Sequence, residues 1–105
     1  TPCFQSYTVA KAGLMMATRT TAQALAPGVR VAAIGPGPTL QGDRQSAEHF
    51  ARQRAGSVLG RGSDPEDVVA ALRFIVACKA FTGQMLAIDG GQHLAWQTPD
   101  VSGDL

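Results

Sequence analysis

A chain of 105 residues, 45% of them hydrophobic, has apolar side chains enough for one small globular domain, length too short for two, and a composition that excludes a disordered segment. Its net charge of +1 supplies no basic face for nucleic acid or an anionic membrane surface. The two cysteines, Cys3 and Cys78, have no metal-ligand spacing and are too few for a disulfide scaffold, so each reads as a buried or free thiol.

The first element runs from Ser6 to about Ala26. Its alanines, with Leu14, Met15, Met16 and Leu25, favour a helix. Ser6 is the expected N-cap, and Pro27-Gly28 ends the segment. Tyr7 and Lys11 lie four residues apart and so share a helix face. A tyrosine ionises at about pH 10 in water, so acid–base work near neutrality needs its phenolate stabilised, which a neighbouring ammonium does. The same spacing is also that of a packed helix tyrosine and a solvated lysine.

Val29 to Ile34 is a short β-prone run between Pro-Gly and Gly-Pro-Gly, expected as a buried strand, parallel because it follows a helix. Gly35 to Gln41 is then a loop at the strand's carboxyl end, the edge where open α/β sheets bind ligands. Its glycines let a ligand approach the backbone and its prolines stiffen it. Asp43 to Ala55 reads as a polar, weakly anchored helix, and Gly56 to Ser63 as a second loop. Asp64 is a candidate N-cap, followed by Pro65, Glu66 and Asp67 in a first turn suited to the helix dipole. Val68, Val69, Leu72, Ile75 and Val76 give this helix its apolar face. Met85 to Ile88 is the second expected buried strand, ended by Asp89-Gly90-Gly91. The tail from Gln92 to Leu105 has little periodicity, and its Trp96 reads as a packing residue ahead of a substrate-lining aromatic or an oligomer contact.

The order helix, strand, helical excursion, helix, strand is the second half of a doubly wound α/β unit. Two strands do not make a stable open sheet. The chain also opens Thr1-Pro2-Cys3 without Met, so a fragment of a longer polypeptide is expected. His49 and His93 have no partners at metal-ligand spacing, so no metal site is expected. No apolar run approaches the ~20 residues of a membrane span. With no signal peptide visible either, the expected compartment is the cytoplasm.

Four signals follow one another along the chain: Tyr7-Thr8-Val9-Ala10-Lys11, Gly35-Pro36-Gly37-Pro38-Thr39, Gly62-Ser63-Asp64-Pro65-Glu66-Asp67-Val68, and Thr82-Gly83-Gln84 with Asp89-Gly90-Gly91. Their order and separations resemble the C-terminal half of a classical short-chain dehydrogenase/reductase, over about Pro2 to Leu94. The resemblance implies the C-terminal portion of one Rossmann-type domain over residues 1–105, a three-layer α/β/α fold incomplete on its own. It implies hydride transfer between NAD or NADP, with NADPH favoured, and a carbonyl or imine carbon. Tyr7 would be the catalytic acid, and Lys11 would hold the nicotinamide ribose and lower the tyrosine's pKa. Pro36, Gly37 and Thr39 would lie beside the nicotinamide, with Thr39 near the carboxamide. Residues 40–60 would form a mobile lid over the substrate. The last helix and strand would pack on another subunit of a homodimer or homotetramer.

Two departures stand out. Gln41 occupies a position where many members carry threonine, and the Gly-Pro-Gly-Pro-Thr form is similar to the pteridine-reductase branch, which makes a pterin-like substrate an expectation beside a simple carbonyl compound. The Gly-rich dinucleotide loop, the residue choosing between NAD and NADP, and the third catalytic residue would all precede Thr1. The expectation is therefore an enzyme whose upstream half comes from elsewhere, with residues 1–105 inactive alone. The competing expectation is a non-catalytic fragment that keeps only packing and oligomer surfaces.

Overall fold

The computed structural model describes residues 2–98, as α1 (Gln5–Leu25), β1 (Ala33–Pro36), α2 (Ala47–Ala55), α3 (Pro65–Ala77), β2 (Met85–Ile88) and a 3-10 turn at Gln92–Leu94. The expected irregular tail thus contains a short turn, and its part beyond Thr98 lies outside the described residues. β1 and β2 pair in a two-stranded sheet. Ala33 N–H donates to the Gln84 carbonyl and Gly37 N–H to the Ile88 carbonyl, each at 3.0 Å. The two sequences advance together, so the strands are parallel, as expected after a helical crossover.

The boundaries depart from the expectations for local reasons. α1 starts at Gln5 with Phe4 at its N-cap and no side-chain cap, so Ser6 is the second helical residue rather than the cap. The first strand begins at Ala33 instead of Val29 and takes in Gly35 and Pro36. Val31 N–H goes to the Thr82 hydroxyl at 3.1 Å instead of to a strand carbonyl, which delays the start of the ladder. Both strands are at most half-buried, not buried, because each has one strand neighbour. α2 starts at Ala47 instead of Asp43, since the Ser46 hydroxyl accepts the His49 N–H at 3.1 Å and sets the cap there.

The described residues form two compact units: one takes in residues 2–35 with Val69–Leu86, the other Pro36–Val68 with residues 87–98. In the first, Arg30 closes the C-terminal end of α3. Its Nη1 donates to the carbonyls of Ile75, Cys78 and Phe81 at 2.8, 3.0 and 3.0 Å, and its Nη2 to that of Val76 at 3.2 Å. The Ile75 and Val76 carbonyls lie in the last turn of α3, where a cation suits the helix dipole, and Cys78 and Phe81 follow the helix, the Cys78 carbonyl also accepting the Phe81 N–H at 3.0 Å. Phe74 and Phe81 meet edge to face at 5.9 Å.

In the second unit, Ser57 is a buried junction. Its hydroxyl donates to the Arg54 carbonyl at 2.8 Å and accepts the N–H groups of Arg61 and Gly62 at 3.1 Å each. At the start of α3 the Asp67 carboxylate accepts the Asp64 N–H at 2.8 Å, the returning half of a capping box.

Among the described residues the buried hydrophobic side chains are Ala22 and Ala71. Val9, Leu14 and Met16 on α1, and Leu72 and Val76 on α3, are exposed. Two strands and three helices leave these apolar faces without a covering layer.

Candidate functional site

Tyr7 and Lys11 belong to the first unit. One turn of α1 separates them, and the Lys11 Nζ stands 5.5 Å from the centre of the Tyr7 ring. The helix thus brings the two together as their spacing requires, with the ammonium held over the ring face. Tyr7 is 63% exposed in this chain.

Pro36, Gly37 and Thr39 belong to the second unit. Pro36 ends β1 and is exposed. A β-carbon at Gly37 would lie 2.7 Å from Asp89 Cα, 2.8 Å from its Cβ and 3.0 Å from its carbonyl oxygen. Glycine is needed at 37 because the chain's own backbone approaches there, a packing reason that the loop sequence did not reveal. The Thr39 hydroxyl donates to the Gly37 carbonyl at 2.8 Å and lies 2.7 Å from Ser63 Oγ. The Pro38 carbonyl accepts from Arg54 Nη1 at 2.9 Å and from Ser63 N–H at 3.4 Å. Gln41 turns away into a local bond with the Gln45 carbonyl.

Arg54 and Ser63 are therefore part of the loop's frame. Neither was legible in the sequence, because Arg54 reaches Pro38 across sixteen residues and Ser63 reaches Thr39 across twenty-four. Arg54 Nη2 also pairs with Asp64 at 2.8 Å, and Arg61 bridges Asp64 at 3.0 Å and Asp67. The Arg54 hydrogen bond holds the Asp64 carboxyl below its ordinary 3.8 despite partial burial, and the charges of Arg54 and Arg61 add to that. Asp64 precedes α3 as expected, but its carboxylate goes to Arg54 and Arg61 instead of to a helix N–H, and the side-chain cap at this end is the Asp67 bond.

Asp89 has a structural part too. Its carboxylate accepts the N–H groups of Gly91 at 2.9 Å and His93 at 3.0 Å, and His93 Nδ1 lies 2.8 Å away. Burial pushes its carboxyl up, but the His93 side chain and these N–H groups outweigh that and leave it below 3.8. Trp96 lines a hollow of about 420 Å³ with Ala55 to Val58 of the expected lid, Ala95 and Gln97, which includes none of the expected catalytic or cofactor-binding residues. Among the described residues, no three His, Cys, Asp or Glu converge to hold a metal ion, and no helix is long and apolar enough to cross a membrane.

Residues 1–93 match the family model described as enoyl-(acyl carrier protein) reductase. FolM alternative dihydrofolate reductase 1 from Brucella suis, solved in complex with NADP, is 50% identical with a TM-score of 0.87, over 94% of this chain and 40% of that one. Dihydromonapterin reductase of Citrobacter koseri is 32% identical over 89 residues, 85% of this chain and 37% of the relative. The short-chain dehydrogenase/reductase homolog YusR of Bacillus subtilis is also 32% identical over 89 residues, 84% of this chain and 69% of the relative. The chain thus spans well under half the length of the Brucella and Citrobacter proteins. The structural likeness gives the two-stranded α/β arrangement its place as part of a Rossmann-type fold.

Proposed function

The chain belongs to the short-chain dehydrogenase/reductase family, and from that premise we propose that it carries the proton-transfer portion of an NAD(P)-dependent reductase of the pteridine-reductase-like branch. The observation that carries this reading is the exposed Tyr7 phenol with the Lys11 ammonium 5.5 Å from its ring, one turn along α1.

Tyr7 acts as the general acid. Its phenolic proton passes to the oxygen of a carbonyl, or to the nitrogen of a pterin C=N, as the neighbouring carbon is reduced. Lys11 stabilises the phenolate left behind, by its charge, and binds the ribose hydroxyls of the cofactor. Pro36, Gly37 and Thr39 hold the nicotinamide. The residues present fit such a group: a half-buried loop at the carboxyl end of a parallel strand, with a threonine hydroxyl that still has acceptor capacity. The bound nicotinamide supplies the hydride. NADPH is the favoured form, since the Brucella relative was solved with NADP, and a pterin-like substrate is favoured by the relatives that reduce dihydrofolate and dihydromonapterin.

Residues 1–105 form the C-terminal part of one domain in this reading. The upstream half of that domain covers the exposed apolar faces of α1 and α3 and supplies the rest of the cofactor site, and the assembled protein is a cytoplasmic homodimer or homotetramer. Residues 40–60 act as a lid. Support for the lid comes from Leu40, 74% exposed at its near end, and from the Arg54 and Ser57 bonds that fasten its far end. The exposed apolar side chains favour a second statement, that residues 1–105 alone are a non-catalytic piece of such an assembly.

The test is NADPH oxidation by the full-length protein with dihydropterins and simple ketones. Turnover of a dihydropterin or a ketone is expected. Dinucleotide binding with no reduction of either class contradicts the proposal.

A further inference from the structure

A carboxylate accepts hydrogen bonds and donates none. The Asp89 carboxylate, ionised at neutral pH, accepts the N–H groups of Gly91 and His93. The His93 Nδ1 lies 3.0 Å from one of its oxygens and 2.8 Å from the other, so in the neutral ring the proton sits on Nδ1. The imidazole is thereby held as one tautomer, with the lone pair on Nε2. The turn that carries it is fixed as well. Gly91 stands at φ +80°, a left-handed conformation that suits glycine, and the Gly90 carbonyl accepts the Leu59 N–H at 2.8 Å.

This pair has a defined place. It follows the carboxyl end of β2, at the edge where open α/β sheets bind ligands. Asp89 packs against Gly37 of the 36–39 loop and bonds His93, and all three residues belong to the second unit. The Asp89 side chain is 13% exposed and that of His93 54%, so the pair is anchored at its carboxylate and open at its ring. An acceptor at such a rim meets the outer part of a substrate whose reacting ring lies on the nicotinamide. Pterins share that ring and differ in the group at C6, which in dihydromonapterin is a chain of hydroxyls.

We propose that His93, oriented by Asp89, is a specificity-determining residue whose Nε2 accepts the O–H of a hydroxyl on the C6 side chain of a dihydropterin. The protein then prefers a polyol pterin to one with a plain alkyl group there. The inference rests on the reading of the substrate as a pterin, and adds to it the part of the pterin that is read and the atom that reads it.

The test compares kcat/KM of the full-length protein for 7,8-dihydromonapterin and 6-methyl-7,8-dihydropterin, with the NADPH dissociation constant measured alongside. One neutral hydrogen bond gives a preference of about fivefold for the polyol. His93→Phe keeps a ring and removes both nitrogens. It should bring the ratio to about one, with kcat/KM for the methyl compound and NADPH binding within about twofold of the unaltered protein. His93→Gln returns an acceptor oxygen and should recover part of the preference. A His93 with only a structural part would weaken both substrates equally, so an unchanged ratio in His93→Phe overturns the inference. A ratio near one in the unaltered protein overturns it too. Ketone turnover with neither pterin reduced overturns the inference and leaves the reductase reading standing, whereas failure to bind NADPH overturns both. Should His93→Phe fail to fold, His93→Ala removes the acceptor without setting a ring against the carboxylate, and the same collapse of the ratio is expected.

Discussion

Replacing Gly37 with alanine puts a β-carbon where Asp89 already is. The new atom would sit 2.7 Å from Asp89 Cα and 3.0 Å from its carbonyl oxygen, against the ~3.5–4.0 Å of a normal contact. Both obstacles are backbone, so no side chain can swing clear. Backing the loop off by about 1 Å would break the 3.0 Å bond from Gly37 N–H to the Ile88 carbonyl. Overpacking costs about 1–3 kcal/mol and the lost bond about 1 more, so the expected destabilisation is about 3 kcal/mol. In a domain of about 250 residues that lowers Tm by roughly 6–12 °C. Thermal unfolding of the full-length protein reads it, with Gly42→Ala as control. Nothing lies within 4 Å of a β-carbon at 42, and Tm there should hold or rise slightly. If glycine at 37 served the approach of a ligand instead, Gly37→Ala would leave Tm in place and weaken cofactor binding. That result would refute the packing argument.

Arg30→Met removes two hydrogen bonds to the end of α3 and two to the turn after it, and should cost about 2 kcal/mol in urea unfolding, the exposure of the site keeping it below the sum of its bonds; a change within about 0.5 kcal/mol would contradict the capping role. Lys11→Ala should raise the NADPH dissociation constant and lower kcat together, and a change in one alone would contradict its double duty. Asp64 and Asp89 have folded pKa values below 3.8, so their contribution to stability is complete above the unfolded value and is lost as pH falls through the folded ones. Asp89→Asn should therefore flatten the loss of stability on acidification below about pH 4, and an unchanged slope would argue against the His93 and backbone bonds as its cause. The isolated 105-residue chain should oxidise no NADPH, which a direct absorbance assay checks.

The elements most legible in the sequence are those fixed by neighbours in the chain. Met85–Ile88 is a strand as expected, and α3 starts at Pro65 behind Asp64, because capping and turn residues act within a few positions. The first strand was harder to bound, since Thr82 intercepts Val31 from fifty-one residues away. The pairing of Tyr7 with Lys11 followed from helix geometry alone. The frame around Thr39 did not, because Ser63 and Arg54 come to it only through the fold, and nothing in their local sequence marks a buried serine or a guanidinium aimed at carbonyls. Gly37 shows the limit in another way: its glycine was legible, but its reason, the approach of Asp89, was not.

The most direct test of the account is the turnover of Tyr7→Phe in the full-length protein. The substitution removes one hydroxyl, leaves the ring under Lys11, and should lower kcat by about 10²–10⁴-fold with the NADPH dissociation constant nearly unchanged. Turnover equal to that of the unaltered protein would mean that the proton comes from elsewhere, and the role given to α1 would fall.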